Sequence, residues 1–415
     1  MERVVIVGGG IIGLCAAFAL ERVGARVTVL DTGTAGGGAS EANAGWIVPS
    51  LAAPVPAPGL VRTSLGWMLR SDSPLYIKPR ADPDLARWLL AFWRRCNTRD
   101  HLAGMEATAA LGQQTMALYN SLAAAGVRFE HHRNGILFAY QSPTELEHDL
   151  RRLEPLRAFG LDLPVSLPAD AMREREPALT GTISGGYWIS GERHIRPGSL
   201  TAGLIAYLTA RGVDIRSHTP VTGIDHEAGR ATAVRTATGR LSATTVLICA
   251  GAWTPAVARM AGVRIPIQGG KGYSLDYSPP PQTVRQPIYL HEWRVAITPL
   301  DGMVRLAGTM EFSGDNGRVH PKRVATIARA GATCLHNWPA DPGVARVSSG
   351  LRPMTPDGLP VIGWLPGFRN VAVASGHAML GVTLAPATGA AIAELLTSGR
   401  PPDVIRPFHP GRFSA

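Results

Sequence analysis

A glycine-rich turn near the amino terminus is the feature that most restricts the fold of this chain. The apolar, β-branched residues 3–7 predict a buried strand, and Gly8, Gly10 and Gly13 follow it at the spacing G-x-G-x-x-G. In such a turn the first glycine permits the bend, the second lets the backbone approach a pyrophosphate, and the third allows helix and strand to touch. The free N–H groups and positive dipole end of the following helix favour phosphate. The turn therefore predicts a phosphate-binding site rather than a plain connection.

The residues after the turn complete a βαβ unit. Residues 11–23, which begin with Ile11 and Ile12, predict a helix, and residues 26–30 predict a second parallel strand that ends at Asp31. A carboxylate at that position can accept hydrogen bonds from the ribose hydroxyls of a dinucleotide. The same fingerprint serves NAD and FAD, so these residues leave both cofactors open.

The composition indicates a folded chain of two domains. The 415 residues are 45% hydrophobic and 17% charged, which excludes disorder as the main state, and the length exceeds that of one small core. The net charge of +10 would suit nucleic acid, an anionic membrane surface or an acidic small substrate. The basic residues form no dense block, so nucleic acid is not an expected partner.

The four cysteines are far apart and show no metal-ligand spacing: Cys15, Cys96, Cys249 and Cys334. We therefore expect no disulfide framework, no metal site and a reducing compartment. The strand predicted at residues 3–7 leaves no room for a cleaved signal peptide, and no stretch is apolar enough to span a membrane. Together these patterns predict a cytoplasmic protein.

The strand–helix pattern of the amino terminus returns in the middle and at the end of the chain. Residues 197–216 and 245–251 predict a helix and buried strands, and residues 371–374 and 381–396 predict a last strand and a closing helix. Residues 263–347 instead show strands of mixed alternation. The predicted fold class is α/β, with a discontinuous parallel sheet and a second domain on a mixed or antiparallel sheet.

Further elements are predicted outside this pattern: helices at 84–96, 104–125, 144–159 and 321–337, and a strand at 135–140. The first of these helices carries Trp88, Phe92 and Trp93 beside Arg94 and Arg95. This arrangement predicts an amphipathic helix packed on the core, with contact to a membrane surface as the alternative.

Four further segments resemble one superfamily of flavoenzymes. They are residues 40–49 (SEANAGWIVP), 271–275 (KGYSL), 350–363 (GLRPMTPDGLPVIG) and 375–381 (SGHAMLG). In this order, and over nearly the whole chain, they resemble the D-amino-acid oxidase and glycine oxidase superfamily. Within it, the chain looks most like the small subunit of bacterial FAD-dependent D-amino-acid dehydrogenases.

The resemblance implies FAD as the cofactor and a division into two domains. Residues 1–127, 169–262 and 346–415 would form a Rossmann-like FAD-binding domain, and residues 128–168 and 263–345 an α+β substrate domain. The residues it implies around FAD are Gly8, Gly10, Ile11, Ile12, Gly13, Asp31, Ser40, Asn43, Ala44, Gly45, Val221, Ala250, Gly251, Gly376, His377, Met379, Leu380 and Gly381.

The implied roles of these residues differ along the cofactor. Residues 40–45 would run past the pyrophosphate toward the flavin ring, and the backbone of Val221 would hold adenine. Ala250 and Gly251 are small and would leave space for the cofactor at the end of their strand. The turn at residues 376–381 would direct backbone N–H groups at the flavin edge, where negative charge develops on reduction.

Arg352 is the predicted carboxylate-binding residue. It follows a short apolar strand and precedes a proline-restricted turn, and its planar guanidinium suits a bidentate grip on a carboxylate. The resembled family has its carboxylate-binding arginine at this position. Tyr273 is expected to add a hydroxyl to the same carboxylate, with simple packing as the alternative. His377 is expected either to border the site or only to orient its turn.

The predicted reaction is the FAD-dependent oxidation of the Cα–N bond of a D-amino acid. Hydride would leave Cα for flavin N5, and the imine would hydrolyse to an oxo acid and ammonia. Trp46 stands where many of these dehydrogenases carry a smaller polar residue, which opens D-proline or hydroxy-D-proline as a substrate.

Two alternatives remain open: a glycine- or sarcosine-type amine oxidase that uses O2, and a flavin-bearing subunit without turnover of its own. The expected electron acceptor is a quinone, an electron-transfer protein or O2. A quinone would require peripheral contact with the inner face of the cell membrane.

Overall fold

The computed structural model describes residues 3–60, 75–160 and 164–413 of the chain. Within them the α-helices are α1 (Ile11–Arg22), α2 (Pro83–Arg95), α3 (Thr98–Gly112), α4 (Thr115–Ala124), α5 (Pro143–Leu153), α6 (Ala169–Arg175), α7 (Pro197–Ala210), α8 (Thr254–Arg259), α9 (Pro321–Cys334) and α10 (Gly381–Ser398).

The strands in the same ranges are β1 (Arg3–Val7), β2 (Arg26–Leu30), β3 (Trp46–Ile47), β4 (Leu75–Ile77), β5 (His131–His132), β6 (Ile136–Tyr140), β7 (Val165–Pro168), β8 (Gly185–Ile189), β9 (Arg193–Ile195), β10 (Asp214–Arg216), β11 (Val221–Glu227), β12 (Arg230–Thr236), β13 (Gly239–Ser242), β14 (Thr245–Ile248), β15 (Gln268–Tyr277), β16 (Ile288–Leu290), β17 (Val295–Leu300), β18 (Met303–Phe312), β19 (Arg346–Met354), β20 (Val361–Trp364) and β21 (Val371–Ser375).

A largely parallel sheet carries the glycine-rich turn. Its strand order is β10-β2-β1-β14-β21-β20, and the neighbouring strands are parallel except for β20 with β21. The central strands are continuous apolar runs because both faces are covered. α1, α7 and α10 contribute to the apolar core on one face, and β11 and β12 contribute to the core on the other.

A second, nine-stranded sheet is mostly antiparallel. Its order is β19-β15-β18-β17-β16-β6-β8-β7, and β4 pairs with β18. One face packs against α9 in an apolar core. We call this the helix face, and the opposite face the site face. The two sheets confirm the predicted α/β class with one parallel and one mixed sheet.

The predicted domain boundaries remain a prediction. β8 and β19 come from segments assigned to the FAD-binding domain, yet both pair within the nine-stranded sheet. Their hydrogen bonds join them to strands assigned to the substrate domain.

Several helices differ in extent from the sequence prediction. The single helix expected at 104–125 is two helices, α3 and α4, and Thr115 at the start of α4 donates its hydroxyl to the carbonyl of Thr383 at 3.1 Å. Tyr119 bonds the carbonyl of Val382 at 2.6 Å, so α4 is docked on the start of α10. α3 also begins earlier, where the Asn97 side chain accepts the N–H of Asp100 and caps the helix.

Helix α2 packs on the core through one side only. Leu85 and Trp88 are buried, and the indole N–H of Trp88 donates to the carbonyl of Met354 at 3.0 Å. Leu90 and Trp93 on the same helix are exposed.

None of the helices in the described part of the chain combines the length and apolarity that a bilayer crossing requires.

Candidate functional site

The glycine-rich turn between β1 and α1 has the geometry of an anion site. Gly8 has φ +113°, and a Cβ there would overlap the carbonyl of Cys249. A Cβ on Gly13 would overlap the carbonyl of Gly8. Such a φ and such close approaches require glycine. Gly10 is different, because its Cβ would meet only the Ser40 hydroxyl, at 3.2 Å.

The first turn of α1 presents N–H groups that have no protein partner. Among the described residues, no acceptor faces the backbone N–H of Gly10, Ile12 or Gly13. Ile11 donates to Ser40 Oγ at 3.0 Å. Gly10 is the N-cap and offers no side-chain oxygen. These N–H groups at the positive end of the helix stabilise an anion.

Asp31 lies at the end of β2, beside this turn. Its Oδ2 accepts the N–H of Gly9 at 2.7 Å, and its Oδ1 accepts the N–H of Gly33 at 2.8 Å. Each carboxylate oxygen has a further lone pair, so the group keeps capacity for ribose hydroxyls. The N–H of Thr219 donates to the Asp31 carbonyl at 2.7 Å, which brings the segment before Val221 to the same edge.

The loop that follows residue 40 leads from the turn to the nine-stranded sheet. The Asn43 side chain accepts the N–H of Gly45 at 2.8 Å, and Gly45 has φ +86°. The carbonyl of Ala44 accepts the Thr298 hydroxyl at 2.9 Å. The same hydroxyl accepts the indole N–H of Trp46 at 2.8 Å. The loop is therefore fixed to the site face of β17.

Ala250 and Gly251 follow β14 at the edge of the parallel sheet that carries the turn. Gly251 has φ +53°, and its carbonyl accepts the hydroxyl of Ser375 at 3.1 Å. Ser375 in turn accepts the hydroxyl of Thr254 at 2.8 Å. These bonds hold the ends of β14 and β21 together, so both segments border one region.

Residues 376–381 form a tight turn before α10. Gly376 has φ +76°, and the N–H of Leu380 closes the turn on the His377 carbonyl at 2.8 Å. The N–H of Gly381 has no protein acceptor within the described chain. Met379 is 52% exposed, so its side chain is not part of the core.

The guanidinium of Arg352 is a half-buried charge on the site face. Arg352 is paired with Gly270 on β15, and its guanidinium lies over Gly272, where a Cβ would overlap it. One N–H donates to the carbonyl of Thr309 at 2.9 Å. No carboxylate of residues 3–60, 75–160 or 164–413 lies within ion-pair distance of it. Burial lowers the pKa of Arg352 to about 10, so the group stays charged at neutral pH and its other N–H donors are available to an anion.

Thr309 is a site residue that the sequence did not indicate. It has φ +59° beside a register shift between β15 and β18. A positive φ is costly for a β-branched residue, and such strain concentrates at functional sites. The hydroxyls of Thr309 and Ser274 are buried without a partner in the described chain. Threonine in a strand is ordinary, so only the backbone geometry reveals it.

Tyr273 does not lie beside Arg352, contrary to the prediction that the two share a carboxylate. Side chains alternate along β15, and Tyr273 is one residue out of phase with Gly270 and Gly272, so it faces the helix face. Its hydroxyl donates to Glu311 at 3.0 Å. Burial, together with Glu311, raises the pKa of Tyr273 to about 12. The structure favours the packing alternative.

Lys271 also belongs to the helix face. Its ammonium donates to the side chain of Asn316 at 2.6 Å and to the carbonyl of Arg318 at 3.2 Å. Glu311 lies 3.9 Å away and adds a buried counter-charge. These contacts anchor the loop after β18.

Tyr289 is the tyrosine that shares the site face with Arg352. Tyr289 on β16 is paired with Ala296 on β17, and Ala296 is paired with Ala307 on β18. Ala307 is paired with Ser274 on β15, which lies on the same face of that strand as Gly272. Burial lowers the pKa of Arg352, and the phenol of Tyr289 acts against this shift. No sequence motif marked Tyr289, because the register of four strands determines its position.

Trp46 packs against Tyr289 and completes an aromatic wall. The two rings meet edge to face with centroids 6.1 Å apart, and Phe138 lies 6.5 Å from Trp46 and 5.8 Å from Tyr289. Leu380 contacts the same cluster. The turn before α10, the loop from residue 40 and the site face therefore meet here, and we call the region between them the recess.

His377 is buried, and its ring makes a hydrogen bond to another side chain of the protein. Nε2 lies 3.0 Å from the hydroxyl of Thr388 on α10, while Nδ1 has no partner in the described chain. Burial lowers the pKa of His377 to about 3. The N–H of Ala378 donates to the carbonyl of Pro353 at 3.1 Å, next to Arg352. These contacts favour the role of orienting the turn.

Three possible metal ligands meet away from this recess. Glu130, His132 and Asp301 bring ligand atoms within 4.8 Å of one another. His132 Nε2 lies 3.0 Å from the Glu130 carboxylate, which Arg196 also bonds. The acidic charge of Glu130 is therefore compensated within the protein.

Nearly the whole chain matches one family of known proteins. The pattern of the FAD dependent oxidoreductase family, abbreviated DAO, matches residues 3–395. This chain belongs to the DAO family of FAD-dependent oxidoreductases. Together with its relatives, the match identifies an amine-oxidising flavoenzyme with FAD as its cofactor.

Two relatives of this DAO-family protein are named D-amino acid dehydrogenase. The protein from Methylobacterium sp. (strain 4-46) is 34% identical over 97% of this chain and 96% of its own length. The protein from Cereibacter sphaeroides (strain ATCC 17029) is 33% identical over 97% of this chain and 93% of its own length.

Solved structures share the fold. Glycine oxidase from Geobacillus kaustophilus superposes with a TM-score of 0.76 at 23% identity, covering 99% of both chains. L-proline dehydrogenase from P. horikoshii gives a TM-score of 0.75 at 19% identity, covering 100% of this chain and 98% of its own. At these identities the likeness concerns the fold alone.

The turn at the start of α1 fits FAD. Its free N–H groups suit the pyrophosphate, and Gly10 leaves room for it. Asp31 retains acceptor capacity for the ribose, and the loop through Asn43 and Gly45 leads to the recess beside Arg352. The roles of individual residues along FAD remain predictions.

Substitutions of Gly10 and Gly13 in the turn should have different effects. We expect Gly10→Val to keep the fold but bind FAD at least about tenfold more weakly, because the side chain blocks the approach of the pyrophosphate. Gly13→Val should instead lower the yield of folded protein, because its Cβ would overlap the Gly8 carbonyl. Circular dichroism and the ratio of flavin to protein absorbance measure the two effects. Gly181→Ala, which meets nothing within 4 Å, is the control; a fully loaded Gly10→Val protein would contradict the assignment.

The protein should lose stability in mild acid through its buried histidines. The pKa of His377 falls from 6.5 in the unfolded chain to about 3 in the fold. The stability that depends on a neutral His377 is therefore fully present above pH 6.5 and is lost as the pH falls toward 3. Between pH 7 and pH 5, we expect the free energy of unfolding of His377→Gln to drop by about 2 kcal/mol less than that of the parent.

Urea titrations at the two pH values measure this difference. The control is His226→Gln, since His226 is exposed and should leave the pH dependence unchanged. Equal pH dependence of the parent and His377→Gln would show that His377 is not held neutral in the fold.

Proposed function

We propose that this protein oxidises the Cα–N bond of a D-amino acid and passes the electrons to an acceptor other than NAD. The observation that carries the proposal is the charged guanidinium of Arg352, which has no acidic partner in the described chain and lies on the site face, one residue from the contact of Pro353 with the turn before α10. A half-buried guanidinium without an acidic partner favours an anionic ligand, and the carboxylate of an amino acid is such a ligand.

Arg352 and Tyr289 would hold the carboxylate between them. The pKa of Arg352, lowered by burial to about 10, still leaves the group protonated at neutral pH, so it binds the anion and does not act as a base. Tyr289 takes the role that the sequence suggested for Tyr273, because it shares the site face with the guanidinium. With the carboxylate fixed, rotation about the remaining bonds determines which face of Cα is presented.

The aromatic wall of Trp46, Phe138 and Tyr289 would exclude water from the reacting carbon. Bound FAD supplies an acceptor for two electrons. The substrate ammonium first loses a proton to solvent; the Cα–H bond then breaks with departure of hydride, and the nitrogen lone pair forms the C=N bond. Water attacks the imine to give a 2-oxo acid and ammonia, whereas a proline-like substrate would leave a ring imine.

The names of the curated relatives support the D-amino acid as substrate class. Relatives at 33–34% identity along nearly the whole chain carry the name D-amino acid dehydrogenase. The size of Trp46 keeps D-proline and hydroxy-D-proline among the proposed substrates, since an aromatic wall packs well on an apolar ring. The proposed acceptor is a quinone or an electron-transfer protein, and O2 would make the protein an oxidase.

We also propose peripheral contact with an anionic membrane through α2. Leu90 is 47% and Trp93 59% exposed, and the arginines at 87, 94 and 95 on the same helix are exposed as well. Apolar side chains flanked by basic ones favour the interface of an anionic bilayer.

Sedimentation with vesicles tests this contact. We expect the parent to bind vesicles that contain phosphatidylglycerol more strongly than pure phosphatidylcholine vesicles, and the double variant Leu90→Ser, Trp93→Ser to lose about tenfold in affinity. The control, Val344→Ser, removes an exposed apolar residue elsewhere. Equal binding by the parent and the double variant would exclude α2 as the contact.

Anaerobic reduction of the bound flavin tests the reaction. We expect D-amino acids to bleach the visible absorbance of the bound flavin in the parent, while their L enantiomers do not. Arg352→Met should keep its flavin and its fold, but should need at least about a hundredfold more substrate, because one charged group holds the carboxylate. Arg346→Met, at the exposed start of the same strand, is the matched control.

Each outcome has a defined meaning. If no amino acid bleaches the parent, the proposed reaction is wrong and the flavin-bearing subunit without turnover is favoured. If Arg352→Met binds substrate as tightly as the parent, the carboxylate site lies elsewhere. Rapid reoxidation of the reduced protein by air would favour an oxidase over a dehydrogenase.

A further inference from the structure

Strand β18 contains a β-bulge next to Arg352, and the proposed reaction has not used it. Between two consecutive pairs of the register, β15 has one residue, Gly272, whereas β18 has two, Thr309 and Met310. Such a bulge changes the face to which the later side chains of the strand point. The guanidinium of Arg352 lies over Gly272, so the bulge is directly beside that guanidinium.

Two arginines bond consecutive carbonyl groups of this bulge from opposite faces of the sheet. On the site face, Arg352 donates to the carbonyl of Thr309 at 2.9 Å. On the helix face, Arg323 of α9 donates to the carbonyl of Met310, also at 2.9 Å. Arg323 is 1% exposed, and a hydrogen bond is stronger in the interior than in water. The strained backbone of Thr309, with φ +59°, is therefore held from both faces.

The bulge places the carboxylate of Glu311 on the helix face, where it is buried among donors. It lies 3.4 Å from the Arg323 guanidinium and 3.9 Å from the Lys271 ammonium, and it accepts the hydroxyl of Tyr273 at 3.0 Å. A buried carboxylate requires partners of this kind. The charge of Glu311 and the bulged register therefore support each other.

Without the extra residue in β18, Glu311 would point to the other face of the sheet. A one-residue slip turns every following side chain to the opposite face. Glu311 would then be opposite Gly270, and Gly270 is the residue paired with Arg352 on β19. Glycine places no side chain between them, so the carboxylate would pair with the guanidinium and neutralise it. The bulge thus keeps an acid of the chain itself away from Arg352.

We propose that Arg323 is a positioning residue that holds the bulge in register, so that Glu311 stays on the helix face and Arg352 stays open to an external anion. Its hydrogen bond to the Met310 carbonyl and its charge beside Glu311 both favour this register. Arg323 itself does not touch the substrate, because α9 packs on the opposite face of the sheet. The inference rests on the proposed function only in taking the anion at Arg352 to be the substrate carboxylate.

A merely structural role for Arg323 predicts a different result when Glu311 is removed as well. If Arg323 only stabilised the fold, loss of Glu311 would remove further native contacts and would not improve anion binding. If Arg323 restrains Glu311, replacing this acid by glutamine restores the binding that was lost with the arginine, because an uncharged amide does not neutralise Arg352. A double-variant cycle separates the two roles.

The test measures binding of benzoate, a carboxylate without an amine, to the FAD-loaded protein by the change in flavin absorbance. We expect Arg323→Met to weaken benzoate binding about tenfold, and the double variant Arg323→Met, Glu311→Gln to bind within about threefold of the parent. Glu311→Gln alone should also stay within about threefold, because Arg323 still bonds the Met310 carbonyl. The control is Arg329→Met, which removes an exposed charge from the same helix and should bind benzoate as the parent does.

Flavin content and the unfolding midpoint accompany each variant, so that a misfolded protein is recognised. If Arg323→Met does not fold, Arg323→Gln replaces it in the single and the double variant, since an amide also lacks the charge that restrains Glu311. Unchanged benzoate binding in the single Arg323 variant would overturn the proposal. So would a double variant that binds benzoate no more tightly than the single variant.

This cycle and the turnover experiment give separate answers. A parent protein that binds benzoate but is bleached by no amino acid would refute the proposed reaction and leave the cycle interpretable. A parent that is bleached by D-amino acids, but whose double variant shows no recovery, would refute only the role of Arg323. A parent that binds no carboxylate would refute the anion site at Arg352 and this inference with it.

Discussion

A positive charge held on the face of a β-sheet without an acidic partner in the described chain is the constraint on which the site depends. Removing a guanidinium from water costs free energy, and a single hydrogen bond to the Thr309 carbonyl recovers little of it. The strands around it are adapted to the charge. Gly272 leaves the space that the guanidinium fills, and Thr309 adopts a strained backbone that directs its carbonyl there. An incoming carboxylate would compensate the charge, so the cost of burial becomes a preference for anions.

The second constraint is the loop that joins the two sheets. Ser40 accepts an N–H at the start of α1, and Trp46 is bonded to Thr298 on the nine-stranded sheet. A few residues therefore connect the anion-binding turn to the aromatic wall. α10 also holds this loop in place, since the Thr383 hydroxyl accepts the N–H of Val48 at 3.0 Å. The relative position of the glycine-rich turn and the recess thus depends on hydrogen bonds that join this loop to α1 and to β17.

Local features of the sequence were sufficient for one end of the site. The spacing of Gly8, Gly10 and Gly13 after an apolar run specifies a strand–turn–helix, because backbone geometry at those positions depends on neighbours in the chain. The resemblance of the segments around Gly45 and Arg352 gave the family and the cofactor. The sequence did not predict the break between α3 and α4, after which Thr115 and Tyr119 of α4 bond carbonyls at the start of α10.

The sequence by itself determined the α/β class and the glycine-rich turn, because each follows from local periodicity or from a motif, and the resemblance to the family pointed to Arg352 as the predicted carboxylate-binding residue. The tertiary structure alone decided which tyrosine accompanies Arg352. Tyr273 is close to it in the motif pattern but lies on the other face of β15, whereas Tyr289 reaches the same face through pairings across β17 and β18. The physical reason is that side chains alternate between the faces of a strand, and the register between distant strands depends on packing that no single segment encodes.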